Sequence, residues 1–479
     1  MPLILPGNVG SATAATEIVS NSCRFNSGSS DRLHKSQSTG NQKTYTFSFW
    51  IKRSILSVQE NIIGARYGAQ GRYAFLRWNG DDPDKDKLEF HSGIYSTSST
   101  STSIAFKTNR VFRDTNAWYH IVVAVDSTQA AGSGNQFHIY VNGVEELSFT
   151  SATDPSENDN HFFNINTTTL EIGAQASDSY LNAYIAEFVL IDGQQLEPDQ
   201  FGEFDSDSNI WKPIDVSGLT FGNNGFYLDF EDASNLGNDA NGGTDLTEAN
   251  ITAIDQSTDT CINNFCTMNP LGSGAVTFSE GNLQVTKAGN GFLNAIAGIG
   301  ASSGKWYAEA KAISIGSVTY GSYIGFVNLD ISNKQNTADN FGEGADSAGI
   351  SSGGGYIYYN GTQFTGSTTG TTNDDIVNLA MDLDNGRLYW GINGTYVNSG
   401  DPESGATGTG GMPIANITAG GTYTFAVSLR NGANYSWNFG SPNHTISSGN
   451  TDGNGFGNFE YAVPSGYFSL CTKNLAENG

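Results

Sequence analysis

The stretch "IVNLAMDLDNGRLYWGINGTYV", Ile376–Val397, decides the fold class of the second half of the chain. Asn385-Gly386 lies between two segments of strand-forming residues. Asn-Gly is the strongest short signal for a two-residue hairpin, because both residues tolerate positive φ. We therefore predict a β-hairpin, with Leu388, Trp390 and Ile392 on one of its faces.

The carboxylates of this hairpin have two interpretations. Asp382 and Asp384 follow the incoming strand, where they could cap amides of the turn. A retaining glycosidase would instead need two carboxyls roughly 5–5.5 Å apart beside a cleft. The sequence offers no second cluster for substrate, and the nearest glucanase-like pattern, "EFDSDS" from Glu203, has Ser208 in place of its third carboxylate. We favour capping and predict no catalytic residue; a glycan hydrolase remains an alternative.

The same kind of pattern extends over the whole chain. Its 479 residues include 59 glycines, with 12% aromatic and 15% charged residues, and short apolar runs are bounded by turn residues. In "TYTFSFWIK", Thr44–Lys52, side chains alternate with the period of two of a β-strand. Helical signals are nearly absent, apart from one turn starting at Pro198. We predict an all-β protein with two antiparallel β-sandwich (jelly-roll) domains in tandem and an extended N-terminal arm.

The expected boundaries follow changes in composition. The segments are an N-terminal arm (1–17), a first sandwich (18–205), a connector (206–268), a second sandwich (269–445) and a C-terminal tail (446–479). The connector is rich in Gly, Asn and Asp, but "GFYLDFED" within it is too apolar to remain in water. We therefore expect the connector to be ordered.

Charge and hydropathy exclude several partners. There are 22 basic and 48 acidic residues, a net charge of -26, which argues against nucleic acid or an anionic membrane as the main partner. No apolar run approaches the roughly 20 residues that span a bilayer, so no membrane insertion is expected. The first residues lack the basic front of a signal peptide. If the protein works outside cells, we expect release by another route, such as host lysis.

Four cysteines, Cys23, Cys261, Cys266 and Cys471, are too few and too scattered for a disulfide framework. Cys261 and Cys266 could bridge locally or be free thiols. We favour free thiols, and the absence of a nearby histidine disfavours zinc.

The loop "RWNGDDPDKDKLEF", Arg77–Phe90, is the first candidate ligand site. Asp81, Asp82, Asp84 and Asp86 are hard oxygen ligands of the kind that Ca²⁺ prefers. The alternative is a solvated hairpin tip, because Lys85 and Lys87 neutralise part of the charge. Calcium is the one cofactor that the sequence suggests.

Aromatic residues supply candidate sugar platforms. An exposed Trp78 could stack on a pyranose while Asp81 and Asp82 bond its hydroxyls. In "GGGYIYYNGTQF", Gly353–Phe364, Tyr356 and Tyr358 share a face and could either bind ligand or pack into the core.

Both blocks resemble known families. The first, roughly Ala15 to Phe204, resembles the laminin-G-like, concanavalin A-like lectin/glucanase jelly roll through "SFWIKRS", "WYHIVVAVD", "FHIYVNG" and "YIAEFVLIDGQQL". That resemblance implies a calcium at a loop rim. The second, roughly Asn269 to Gly440, resembles a SPRY-type sandwich through "GKWYAEAKA", "YIGFV", "IVNLAMDLDNGRLYWGING" and "YTFAVSL".

The two blocks in tandem, with "FGNNGFYLDFEDASNLGNDANG" and "AIDQSTDTCINNFCTMNPL" between them, resemble virion proteins of aquatic bacteriophages, tail-fibre-like or otherwise on the virion surface. "MPLILPGNVGSA" and "VPSGYFSLCTKNLAENG" resemble that group too. The resemblance implies a non-catalytic virion surface protein that binds host cell-surface glycans, contacts other virion proteins and forms a homo-oligomer, a trimer if it is a fibre. The alternative is a structural or decoration protein that makes protein–protein contacts only.

Overall fold

The computed structural model describes residues 19–67, 72–96, 99–166, 168–316, 321–331, 341–364 and 370–479. Regular structure in these ranges is almost all β-strand, so the all-β prediction is confirmed. The chain divides into two compact units, Ala14–Ile262 and a second that contains Asn263–Gly479. The predicted N-terminal arm, 1–17, lies outside the described residues.

The first unit contains two large antiparallel sheets and a hairpin. Its strands are β1 (Ser22–Phe25), β2 (Arg32–Ser36), β3 (Thr44–Arg53), β4 (Glu60–Tyr67), β5 (Arg72–Trp78), β6 (Lys87–Ser96), β7 (Ser99–Val111), β8 (Trp118–Asp126), β9 (Phe137–Val141), β10 (Val144–Glu145), β11 (Phe149–Thr153), β12 (Thr169–Ile172), β13 (Ala183–Asp192), β14 (Gly202–Phe204), β15 (Trp211–Pro213), β16 (Phe226–Leu228), β17 (Thr247–Ala249) and β18 (Gln256–Ser257). Short 3₁₀ turns occur at Pro198–Gln200, as predicted, and at Ala253–Asp255.

Sheet 1 has the order β10-β9-β8-β3-β13-β1-β18, with β16 also paired to β13, and sheet 2 has the order β11-β7-β6-β5-β4-β12-β2-β17. Their facing sides enclose an aromatic core. In β3, Tyr45, Phe47 and Phe49 lie in that core, and Ser48 and Trp50 lie on the opposite face, which confirms the predicted alternation.

Most of the segment predicted as a connector, residues 206–262, belongs to the first unit, and residues 263–268 belong to the second. Strands β16 and β18 extend sheet 1, and β17 extends sheet 2. Phe226, Leu228 and Phe230 are buried in the core between the sheets. The segment is therefore ordered, as expected, but it is an integral part of the first sandwich because its apolar side chains fill that core.

The second unit also contains two sheets. Its strands are β19 (Thr277–Ser279), β20 (Gln284–Lys287), β21 (Leu293–Ile296), β22 (Lys305–Ser314), β23 (Tyr323–Asn328), β24 (Ser347–Ser351), β25 (Ile357–Tyr359), β26 (Thr362–Gln363), β27 (Ile376–Asp382), β28 (Arg387–Ile392), β29 (Thr395–Tyr396), β30 (Met412–Pro413), β31 (Tyr423–Leu429), β32 (Ala433–Asn438) and β33 (Phe468–Ser469). Short 3₁₀ turns occur at Val397–Ser399, Pro402–Thr407 and Ile414–Ile417, and the helix α1 spans Thr472–Asn478.

Sheet 3 has the order β19-β20-β32-β22-β27-β28-β29, and β30 and β33 add to β28 and β22. Sheet 4 has the order β21-β31-β23-β24-β25-β26. The predicted C-terminal tail packs into this unit, because β33 pairs with β22 and Leu470 and Leu475 lie in the core. Within the described residues, no helix has the length and apolar character needed to cross a bilayer.

The hairpin at Asn385-Gly386 forms, but its turn is longer than predicted. Asp382 pairs with Arg387, so four residues connect β27 to β28, and only Gly386 of the Asn-Gly pair has positive φ. Asn393-Gly394, by contrast, makes the two-residue turn, with φ of 50° and 79°. The difference arises at Asp382, which accepts bonds from the backbone N–H and side-chain amide of Asn385 and so stabilises the wider loop.

All four cysteines are free thiols, as favoured for Cys261 and Cys266. Cys23, Cys266 and Cys471 are buried.

Candidate functional site

Trp78 does not provide a sugar platform. The indole is fully buried, 4.9 Å from the ring of Phe112 and 4.6 Å from the guanidinium of Arg53. Its position explains this result: Leu76 and Trp78 share the core-facing side of β5. The prediction of an exposed stacking surface with Asp81 and Asp82 is therefore wrong.

The structure does not gather the four aspartates of this loop. Asp86 is buried and bonds Arg53 at 3.2 Å and Arg113 at 2.8 Å, whereas Asp82 pairs with Lys85 at 2.8 Å. Asp84 pairs with Lys87 and Lys107. The ammonium groups of these lysines hold the pKa of Asp84 below its usual value. Asp81 is exposed. Cationic side chains thus take the place expected for calcium, and the described residues contain no carboxylate cluster suited to a metal.

Below this loop lies a buried ionic network. The guanidinium of Arg53 lies between the carboxylates of Asp86 and Glu60, the latter 3.6 Å away. Burial raises the pKa of Glu60 to about 7, against the opposing effect of Arg53 and the hydrogen bonds of Asn182. These ion pairs fix the base of the loop.

The outer face of sheet 1 carries a serine–histidine pair. Ser48 Oγ lies 2.9 Å from Nε2 of His120, and the indole N–H of Trp211 lies 2.9 Å from Nδ1. An indole N–H only donates, so Nδ1 is the acceptor and Nε2 carries the proton of the neutral ring. Nε2–H then donates to Ser48, which is the reverse of the bond that activates a serine nucleophile. Burial also lowers the pKa of His120 to about 3, so the ring is a poor base.

A narrow crevice adjoins this pair. It has no room for a water-sized molecule. Its lining is formed by Ser48, Trp50, His120, Glu187, Val189, Phe201, Pro213, Ile214 and Val216.

The other carboxylates considered for catalysis have structural partners. Asp382 bonds the turn and pairs with Lys305 at 3.1 Å, and Asp384 accepts from the backbone N–H of Gly304 at 2.8 Å. Glu203 pairs with Lys212 at 3.3 Å. Turn capping is confirmed for Asp382.

Tyr356 and Tyr358 form part of a continuous aromatic strip on the outer face of sheet 4. We define the aromatic strip as Phe292, Tyr323, Tyr358 and Tyr356, all partly exposed. Successive ring centroids are 5.8, 6.0 and 6.1 Å apart, with interplanar angles of 56°, 86° and 79°. The Tyr323–Tyr358 and Tyr358–Tyr356 pairs are favourable edge-to-face arrangements, and the Phe292–Tyr323 pair is tilted.

Sheet register brings the strip together. Ile324 and Phe326 face the core, so Tyr323 lies on the outer side of β23. Gly349 of β24 pairs with both Gly325 and Tyr358, which leaves small residues between the rings of Tyr323 and Tyr358.

Glycines make room for the rings. A Cβ at Gly354 would clash with the ring of Tyr356, and one at Gly349 would lie 3.0 Å from Cβ of Tyr323. Gly342 has φ of 88°, and a Cβ there would lie 2.6 Å from Cβ of Tyr358. The run of glycines before "YIYY" is the sequence signal for this packing.

The sequence did not indicate Phe292 or Tyr323 as members of the site. Phe292 precedes β21 at the far side of the sheet, and Arg430 stacks over its ring at 5.0 Å. Period-two alternation in "SYIGFV" does place Tyr323 opposite to the core, but only the strand order shows that it adjoins Tyr358.

Comparison with known proteins agrees with the lectin-like interpretation of the first unit. A family model described as the concanavalin A-like lectin/glucanases superfamily matches residues 26–200. No curated protein matches the chain.

Several solved structures are similar to parts of the chain. The SPRY domain of human HERC1 has 14% identity, covering 36% of this chain and 96% of that chain (TM-score 0.29). A heptameric SAP-like pentraxin from Limulus polyphemus has 14% identity, covering 39% and 82% (TM-score 0.28). A putative carbohydrate binding protein from Bacteroides ovatus has 18% identity, covering 49% and 59% (TM-score 0.34). Similarity at this level carries no information about ligands.

Proposed function

We propose that the protein is a non-catalytic bacteriophage virion surface component, a tail fibre or related appendage, that attaches to host cell-surface glycans. The aromatic strip is the observation that carries the glycan-binding part. It presents partly exposed rings in a line across a rigid sheet, and the carbon–hydrogen faces of sugars pack on such rings.

The strip combines apolar and polar groups in the way that sugar recognition requires. The hydroxyls of Tyr356 and Tyr358 can donate to and accept from sugar hydroxyls. Glycine contacts and sheet pairing hold the rings before ligand arrives, which reduces the entropy lost on binding. The match of residues 26–200 to a lectin/glucanase family adds support for a carbohydrate ligand.

The virion assignment rests on the sequence resemblance of the 221–242 and 253–271 segments and of both chain ends to phage virion proteins. It implies a homo-oligomer, a trimer in a fibre, that contacts other virion proteins. The non-catalytic part is supported by the tautomer of His120 and by the structural partners of Asp382 and Glu203.

Retention of the full-length chain on immobilised host-surface polysaccharide tests the proposal. The variant Tyr356→Ala/Tyr358→Ala should lose at least about tenfold in affinity, about 1.4 kcal/mol, because it removes two of the rings on which the sugar packs. The matched control is Tyr461→Ala, a partly buried tyrosine that packs on Gly394 at the edge of sheet 3. Equal retention of all three proteins would refute the aromatic strip as the glycan-binding site. Release of reducing ends by the wild type would support the alternative that the protein is a glycan hydrolase.

An exposed apolar patch favours the decoration protein as a second candidate. Val144, Phe204 and Ile210 are 54%, 45% and 43% exposed, and Trp211 lies beside Phe204 with ring centroids 4.9 Å apart. Apolar groups grouped at a surface are typical of protein interfaces. If Phe204→Ser/Ile210→Ser prevents incorporation into particles while glycan retention is unchanged, this patch serves assembly.

A further inference from the structure

The basic residues of this acidic chain are concentrated in one segment. Residues 52–113 hold ten of the 22 lysines and arginines but only six of the 48 acidic residues. This segment is therefore net +4, and the rest of the chain is net -30. Lys52 and Arg53 are buried in ion pairs with Asp259 and Asp86, so only the exposed cations of the segment can attract an anionic partner.

Part of this charge lies on the outer face of sheet 2. The side chains of Ala74 and Leu76 point into the core, so Tyr73, Phe75 and Arg77 point outward from β5. Register aligns Arg77 with Glu89 of β6 and Glu89 with Lys107 of β7. Arg66 of β4 pairs with Tyr73 on the same face.

Aromatic rings orient the guanidinium groups. Arg77 lies 4.3 Å from the ring centroid of Phe75, and Arg66 lies 5.8 Å from that of Tyr73. Phe75 also stacks on His91, with centroids 5.2 Å apart. Burial lowers the pKa of His91, so this ring is neutral at pH 7 and the positive charge of the face comes from arginine and lysine.

The charge of this face is only partly neutralised. Arg77 bonds Glu89 at 2.9 Å, and Lys107 bonds Asp84 at 3.0 Å and lies 3.8 Å from Glu89. Arg66 is exposed to solvent. Planar guanidinium groups stacked on rings bind carboxylates and sulfates in a bidentate manner while the rings contact the sugar.

We propose that the outer face of sheet 2, defined by Arg66, Tyr73, Arg77 and Lys107, binds an anionic polysaccharide. This inference rests on the proposed glycan-binding function and adds the ligand class: a chain bearing carboxylate or sulfate groups. It is a separate surface from the aromatic strip, which lies in the other unit and whose stacking does not require charge.

The test uses the full-length chain in affinity electrophoresis with alginate, a polyuronate, and with dextran, a neutral glucan. Arg66→Gln/Lys107→Gln should weaken retardation by alginate about tenfold, and salt should weaken that of the wild type because exposed charges are screened over about 10 Å at 0.1 M. The control Lys43→Gln/Lys473→Gln removes the same charge elsewhere and should change retardation less than about twofold. Melting temperatures establish that each variant folds.

The outcomes separate the inference from the proposed function. Equal weakening by both double variants, or by neither, would overturn the inference. Binding of double-stranded DNA as tight as that of alginate would also overturn it, since the face would then recognise charge without sugar. If the chain binds host polysaccharide or dextran through the aromatic strip but does not bind alginate, the inference is wrong and the proposed function is still supported. A chain that binds no polysaccharide would refute both.

Discussion

The indole N–H of Trp211 donates a hydrogen bond to Nδ1 of His120 across 2.9 Å. This bond determines which ring nitrogen carries the proton and so turns an apparent serine–histidine pair into a structural contact. It also fastens the β14–β15 hairpin to the outer face of sheet 1.

The buried His120 should make the protein sensitive to acid. Burial lowers its folded pKa to about 3, whereas histidine in the unfolded chain titrates near about 6.5. The unfolded state therefore binds the proton first, and the free energy of unfolding should fall as the pH drops below about 6.5. Urea unfolding between pH 4 and 8 should show a smaller pH slope for His120→Gln than for the wild type. His138→Gln, at a surface pair with Glu145, is the control, and an unchanged slope in His120→Gln would contradict the assignment.

Glu60 should give a pH effect of the opposite sign. Its folded pKa of about 7 exceeds the value of about 4.3 expected in the unfolded chain. The folded state therefore holds the proton more tightly, and this contribution to stability is lost as the pH rises from about 4.3 through 7. Glu60→Gln should gain on the order of 1–3 kcal/mol relative to the wild type between pH 5 and 8. A constant difference across that range, measured by urea unfolding, would show that Glu60 is ionised throughout.

Two glycines with the same backbone conformation should respond differently to alanine. Gly132 and Gly143 have φ of 71° and 75°, but a Cβ at Gly132 meets nothing within 4 Å, whereas one at Gly143 would clash with the ring of Trp211. Gly132→Ala should cost about 1–2 kcal/mol of left-handed strain. Gly143→Ala should cost about 1–3 kcal/mol more from overpacking. Equal losses in chemical unfolding would place the Trp211 ring elsewhere.

Trp78 should matter for stability and not for ligand binding. Trp78→Ala should cost about 3–5 kcal/mol, because it removes a fully buried indole from the core. Trp78→Phe should fold with a smaller loss and retain glycan affinity within about twofold. If a folded Trp78→Phe protein loses glycan affinity without a matching loss of stability, Trp78 contacts the ligand and the prediction is wrong.

The sequence predicts the fold well where apolar alternation is strong. The aromatic segments around Trp50, Trp118 and Trp390 all form strands, because their alternating side chains match the two sides of a sheet. Strand β7, "STSTSIAFKTNRV", did not stand out, because Ser and Thr dominate it. Among the residues of β7 from Ser103 onward, Ile104 and Phe106 are the hydrophobic side chains that enter the core.

The sites are less predictable because they depend on which side of a strand faces the core and which strands are neighbours. One residue of register decides whether Trp78 is a platform or a core side chain. Phe292 and Tyr356 are far apart in the sequence, and the strand order of sheet 4 brings them into the same aromatic strip. Tyr356 and Tyr358 could be indicated by their glycine-rich surroundings, since that signal is local.

Hydrogen exchange of the full-length chain with and without host-surface polysaccharide locates the bound ligand most directly. We expect slower exchange in 321–328 and 347–364, which carry three of the four rings of the aromatic strip, and unchanged exchange in the hairpin 376–392 of sheet 3. Protection that omits 321–328 and 347–364 while polysaccharide is demonstrably bound would contradict the assignment of the aromatic strip as the glycan-binding surface.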